Sequence, residues 1–126
     1  MPIKTKRWND PVEPDDGFRL LVCRYRPRAL PRADETWDAW QPALGPSRVL
    51  HADFYGKNGS PIGWDAYRER YLKEMEGQVE AIAGIARRVK AGETITLLCS
   101  SACADTARCH RSLLGGLIAT EIGPKA

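Results

Sequence analysis

"TITLLCSSACADTARCHRSLLGGLIA", residues 94–119, passes from a short apolar run through a polar loop into a stretch where Leu113, Leu114, Leu117 and Ile118 recur at helical spacing. An apolar run of this length bounded by a loop reads as a strand covered on both faces, and the 3.6-residue stripe after it reads as a helix. A second apolar run, "FRLLVCRY" at 18–25, has the same character, with Leu20, Leu21, Val22 and Cys23 in succession. Near-continuous apolar strands separated by helical patterns are the signature of a mainly parallel sheet between helices. The expected fold is therefore α/β, a small three-layer sandwich, and 126 residues are too few for two separate cores. Residues 1–126 are read as a single domain.

Outward from these two strands the pattern is less uniform. "PIKTKR", 2–7, suits a short edge strand, and "NDPVEPDDG" after it is a loop by its Pro, Asp and Gly content. In "DETWDAW", 34–40, Asp34 offers a cap and Trp37 and Trp40 stand three apart, which predicts a short helix burying both rings on one side. "RVLHADF", 48–54, is compatible with a strand or an irregular connection. From Trp64 to about Lys90 the set Tyr67, Tyr71, Met75, Val79, Ile82, Ala86 and Val89 predicts a long amphipathic helix, with Gly77 and Gly84 as places for a bend.

Composition excludes several classes. Hydrophobic residues at 43% and charged residues at 28% are those of a globular chain, and no run approaches the roughly 20 apolar residues of a membrane span. "MPIKTKRWND" lacks a signal-peptide core, so the cytoplasm is the expected location and the four cysteines are expected as thiols or metal ligands. A net charge of +3 falls short of a dedicated nucleic-acid binder but suits an anionic partner, either a small molecule or a nucleic-acid phosphate.

The chemistry concentrates in two segments. The loop after residue 99 leaves a strand and enters a helix, the usual ligand position in open α/β sheets. Asp105 or Thr106 would cap that helix and put Cys109 and His110 in its first turns. Positions 109, 113, 117 and 110, 114, 118 are successive turns of two rows, so Cys109 and His110 also fit as buried core residues. Two chemical readings compete with that. Cys99, Cys103 and Cys109 could hold zinc or iron, with His110 or Cys23 as fourth ligand, although the C-x3-C-x5-C-H spacing is not a paired knuckle. Alternatively, Cys103 or Cys109 is a catalytic thiolate, its pKa lowered by the helix N-terminus, Arg108, Arg111 and His110. A cysteine-phosphatase loop would need arginine six positions after the nucleophile, where this chain has Cys109 after Cys103 and Asp105 after Cys99. No C-x-x-C redox pair is present.

The second segment is "CRYRPRAL", in which Arg24, Arg26 and Arg28 alternate. Extended backbone would point all three guanidiniums one way, which requires either nearby acids such as Asp15, Asp34 and Glu35 or an anionic ligand. Should the two strands be parallel neighbours, Arg24, Arg26, Arg28, Arg108, His110 and Arg111 would line one phosphate- or carboxylate-accepting cleft at their carboxyl ends.

Three stretches, "IKTKRWNDPVEPDDGFRLLVCRYRPRAL", "WDAYRERYLKEM" and "ITLLCSSACADTARCHRSLL", make the chain resemble the domain of unknown function 488 family in its YeaO-like branch. The resemblance implies a small bacterial or archaeal α/β protein and no particular reaction, cofactor or enzyme class. Relatives commonly read Val-Asp-Arg-Leu-Trp-Pro-Arg-Gly where this chain has Val22-Cys23-Arg24-Tyr25-Arg26-Pro27-Arg28-Ala29. Arg24, Pro27 and Arg28 match that pattern, whereas its acidic residue and its tryptophan do not, Cys23 and Arg26 standing in their places. Cys109, His110 and Arg111 resemble one branch of the family.

Overall fold

The structure, a computed structural model, describes residues 3–100 and 108–123. Four strands, β1 (Ile3–Arg7), β2 (Phe18–Leu21), β3 (Ala39–Trp40) and β4 (Ile95–Cys99), form one sheet in the order β1-β4-β2-β3. Every pairing is parallel, with Leu20 opposite Leu97 in the central pair. The expected α/β fold with a parallel sheet is the observed one, and the two apolar segments are its two central strands.

Four helices accompany the sheet: α1 (Arg48–Phe54), α2 (Trp64–Met75), α3 (Val79–Lys90) and α4 (His110–Ile122). Leu20, Val22, Ile95 and Leu97 pack in one cluster with Leu50 of α1, Tyr71 of α2, Ile85 of α3 and Leu114 and Ile118 of α4. All four helices thus share one face of the sheet. Leu21 and Leu98, which point to the other face by strand alternation, join Cys23, Cys99 and Cys109 in a second cluster against which Trp8 and Trp37 pack from loop segments. The two rings meet edge to face, 6.3 Å between centroids.

Residues 34–40 do not form the expected helix. A short 3-10 turn spans Arg32–Asp34, and the chain then runs extended into β3, which pairs with the open edge of β2. Three tethers to β2 outweigh the helical spacing of the tryptophans: Arg19 donates its amide to Asp38 (2.8 Å) and its Nε to the Thr36 carbonyl (2.7 Å), and Trp40 Nε1 donates to the Cys23 carbonyl (2.7 Å). Trp37 and Trp40 consequently serve different places. Residues 48–54, left between strand and loop by the sequence, are helical because Ser47 caps them, its Oγ accepting from the Leu50 amide at 3.1 Å. The long helix is two helices, divided by a 3-10 turn at Glu76–Gln78 that contains Gly77; beyond this bend Val79 faces solvent, 57% exposed, instead of joining the stripe.

At the amino end of the sheet, buried Asp16 ties the strands together. Its carboxylate accepts from Lys4 (2.8 Å), Lys6 (3.0 Å), the Glu13 amide (3.1 Å) and Arg19, and its carbonyl accepts from Thr96 Oγ1 (2.7 Å). Among the described residues no helix is long and apolar enough to cross a membrane.

Candidate functional site

The carboxyl ends of parallel β2 and β4 lie side by side, which meets the condition set for the arginine segment and the entrance of α4 to share one edge. Between them and α1 opens a cavity of about 660 Å³. Arg24, Arg26 and Arg28 line it from the segment after β2, and Ser100, Arg108, Cys109 and His110 from the far side. The helix face of α1 supplies a third wall that sequence reasoning missed, with Arg48, His51, Tyr55 and, just beyond, Lys57. Once 48–54 is helical, positions 48, 51 and 55 fall on one face. The Ser47 cap was the local signal for this wall.

Charge in the cavity has one sign. Arg24, Arg26, Arg28, Arg48, Lys57 and Arg108 line it, and among the described residues none that lines it is an Asp or Glu. Arg26 is neutralised by Glu35 at 2.7 Å and sits over Trp37, 5.7 Å from the ring centroid, so one of the acids foreseen for the strip does pair with it. Asp15 pairs instead with Lys4, 3.2 Å away. Arg24 donates Nε to the Pro46 carbonyl (2.9 Å), which fixes its stem. Arg28, Arg48, Lys57 and Arg108 are exposed, and none makes an ion pair with a described carboxylate. Aromatic rings flank the cations: His51 stands between Tyr25 (5.0 Å) and Tyr55 (4.7 Å).

Backbone geometry sets the approach of these walls. Gly45 passes so close to the exit of β2 that a Cβ there would meet the Arg24 nitrogen at 2.5 Å. Ala29 holds φ at 55°, the left-handed region, at the position where the resembling sequences carry glycine. An L-residue pays about 1–2 kcal/mol for that conformation.

The floor is made of sulfur and imidazole. Cys23, Cys99, Cys109 and His110 are all under 8% exposed, yet each borders the cavity. The Cys99 and Cys109 sulfurs lie 3.1 Å apart, and His110 Nδ1 lies 3.7 Å from Cys99 Sγ. His110 Nε2 is 2.9 Å from the Val22 carbonyl, which only accepts, so in the neutral ring Nε2 carries the proton. Helix α4 begins at His110 with Cys109 as its N-cap residue, in extended conformation, so Cys109 precedes the helix rather than lying in its first turn. Cys103, Asp105 and Thr106 lie outside the described residues.

Arg111 departs from the expected cleft set. It is 3% exposed and is not among the lining residues. Its neighbour is Asp10, whose carboxyl is held below its ordinary pKa first by the Arg7 amide, against the opposing effect of desolvation, and in smaller part by the charge of Arg111. One position after His110 on a helix turns the side chain by about 100°, which takes it from the cleft toward the loop after β1.

The chain belongs to the DUF488-N3a family, described as the active DUF488-N3 subclade, which matches residues 3–122. It is 35% identical over 104 residues to "Uncharacterized protein YeaO" of Escherichia coli strain K12, covering 80% of this chain and 84% of that one. It is 26% identical over 116 residues to "Uncharacterized protein Mb3100c" of Mycobacterium bovis and, to the same extent, to "Uncharacterized protein Rv3073c" of Mycobacterium tuberculosis, with 92% of each chain covered. No solved structure matches the chain.

Proposed function

We propose that this protein binds a small phosphate- or carboxylate-bearing molecule in the cleft between the arginine segment, α1 and the amino end of α4. The observation that carries the proposal is a cavity lined, among the described residues, by six cationic side chains and no carboxylate. Gathering like charges without counter-charge costs folding energy that an anionic ligand returns, and guanidinium pairs match phosphate and carboxylate oxygens two by two. A volume of about 660 Å³ suits a small molecule. In this reading Arg24, Arg28, Arg48 and Arg108 contact the anion, while Arg26, neutralised by Glu35, and His110 form part of the wall and floor. The flanking rings of Tyr25, His51 and Tyr55 favour a ligand with a flat or apolar part next to its anionic group.

The experiment is a melting-temperature panel with inorganic phosphate, a mononucleotide, a dicarboxylate and a short oligonucleotide at constant ionic strength. A ligand bound only by the folded chain and present at 100 times its Kd adds about 2.7 kcal/mol of stability. For a chain of this size that is a rise of several degrees. At least one small anion is expected to give it. No shift with any of the four sinks the proposal, and a shift with the oligonucleotide alone replaces the small molecule by nucleic acid.

A further inference from the structure

We infer that Cys23, Cys99 and His110 form a binding site for one transition-metal ion of the zinc class at the floor of the cleft. The Cys23 sulfur, the Cys99 sulfur and a His110 ring nitrogen all lie within 4.8 Å of one another. Tetrahedral zinc sits about 2.3 Å from sulfur and 2.0–2.1 Å from imidazole nitrogen, which separates its donors by about 3.5–3.8 Å. The Cys99 Sγ to His110 Nδ1 distance of 3.7 Å already falls there, and a small convergence brings Cys23 to the same spacing.

Three further features of the fold favour an ion over three packed side chains. The donors come from three different elements, the segment after β2, the last residue of β4 and the first of α4, and the topology brings them together at one end of the sheet. His110 Nε2 is engaged by the Val22 carbonyl at 2.9 Å, which leaves the Nδ1 lone pair aimed at the sulfurs. Metal-bound histidines are oriented in this way, through a hydrogen bond from the other ring nitrogen to a carbonyl or carboxylate. All three residues are buried and also border the cavity, so an ion held there is shielded by protein at the floor of the cleft. The set differs from the one expected from spacing, since Cys23 and His110 replace Cys103 and Cys109 beside Cys99. Cys109 is the neighbour of Cys99, 3.1 Å away, and is not one of the three converging donors.

The inference stands apart from the anion proposal, because metal content is read on protein without added ligand. Full-length protein is purified without chelator from zinc-supplemented cells, and bound metal is measured by elemental analysis. Chelator-stripped protein is then titrated with cobalt(II), whose thiolate charge-transfer and tetrahedral d–d absorption report the donors. One ion per chain and a cobalt spectrum of two thiolates are expected. Cys23→Ser and His110→Gln should each lose the stoichiometric ion, and Cys103→Ser should keep it. Circular dichroism establishes that each variant is folded, and if a variant is not, the wild-type cobalt spectrum decides by its thiolate number. Substoichiometric metal with octahedral cobalt absorption overturns the inference. So does retention by Cys23→Ser with loss by Cys103→Ser, which moves the ion to the loop. Loss of two titratable thiols without metal also overturns it, because two of the four cysteines are then joined in a disulfide.

Discussion

Asp16 is a single residue on which the charge balance at the amino end of the sheet depends. Burial by itself would raise its pKa, but Lys4, Lys6, the Glu13 amide and Arg19 together outweigh burial and hold the carboxyl far below its ordinary 3.8. A depressed carboxylate contributes stability that is present above the unfolded pKa and is lost as pH falls through the folded one. Stability should therefore be flat from neutral pH down to about pH 5 and fall as the solution is taken below pH 4, as urea unfolding at a series of pH values would record. Asp16→Asn leaves Arg19 buried without its carboxylate and should cost about 3–5 kcal/mol at neutral pH. The same measurement on that variant should give a shallower acid loss. A variant as stable as wild type would show that the buried cluster contributes nothing net.

At the scale of elements, what could be read from sequence followed the strength of the local signal. The run Leu20–Cys23 is apolar throughout and Ile95–Cys99 is broken only by Thr96, a pattern that suits strands buried on both faces, so both strands were legible, while their convergence depended on parallel pairing that the sequence left as a condition. Trp37 and Trp40 stand at helical spacing, but their partners, the Trp8 ring and the Cys23 carbonyl, lie far away in the chain and decide the outcome. Helix α1 is seven residues with one fully buried side chain, Leu50, too short for a periodic stripe. Its cap was nonetheless visible as Ser47, and the site depends on it. Ser47 Oγ accepts from the Leu50 amide and donates to Glu74 Oε2 at 2.5 Å, while its own amide donates to Glu74 Oε1 at 2.8 Å. Ser47→Ala should cost about 1–2 kcal/mol in denaturant unfolding and loosen the wall that carries Arg48 and His51, weakening anion binding as well. Lost stability with unchanged affinity would remove α1 from the site.

Across the whole molecule, opposite ends of one sheet carry opposite designs. At the amino end Asp16 is surrounded by cations that it neutralises, and at the carboxyl end cations surround a cavity that no acid lines among the described residues. Net charge of +3 conceals this division, which is why composition pointed only to an anionic partner and the topology was needed to say where. Parallel pairing of β2 with β4 is the feature that puts the arginine segment and the α4 entrance on the same edge. Arg111 shows the limit of that inference, because the helix begins at His110 with Cys109 as its N-cap, and within that first turn His110 borders the cleft while Arg111 is buried away from it.

The most direct test of the anion site is the melting temperature of wild type and of the Arg28→Gln/Arg48→Gln double variant, with and without saturating phosphate at equal ionic strength. Both residues are exposed and neither has a carboxylate partner among the described residues, so their substitution should leave the core intact. If the cleft is built for an anion, the variant is at least as stable as wild type without phosphate, because repulsion has been relieved, and gains less when phosphate is added. A wild type that phosphate does not stabilise, together with a variant that melts lower in its absence, would contradict the account and make these arginines part of the scaffold.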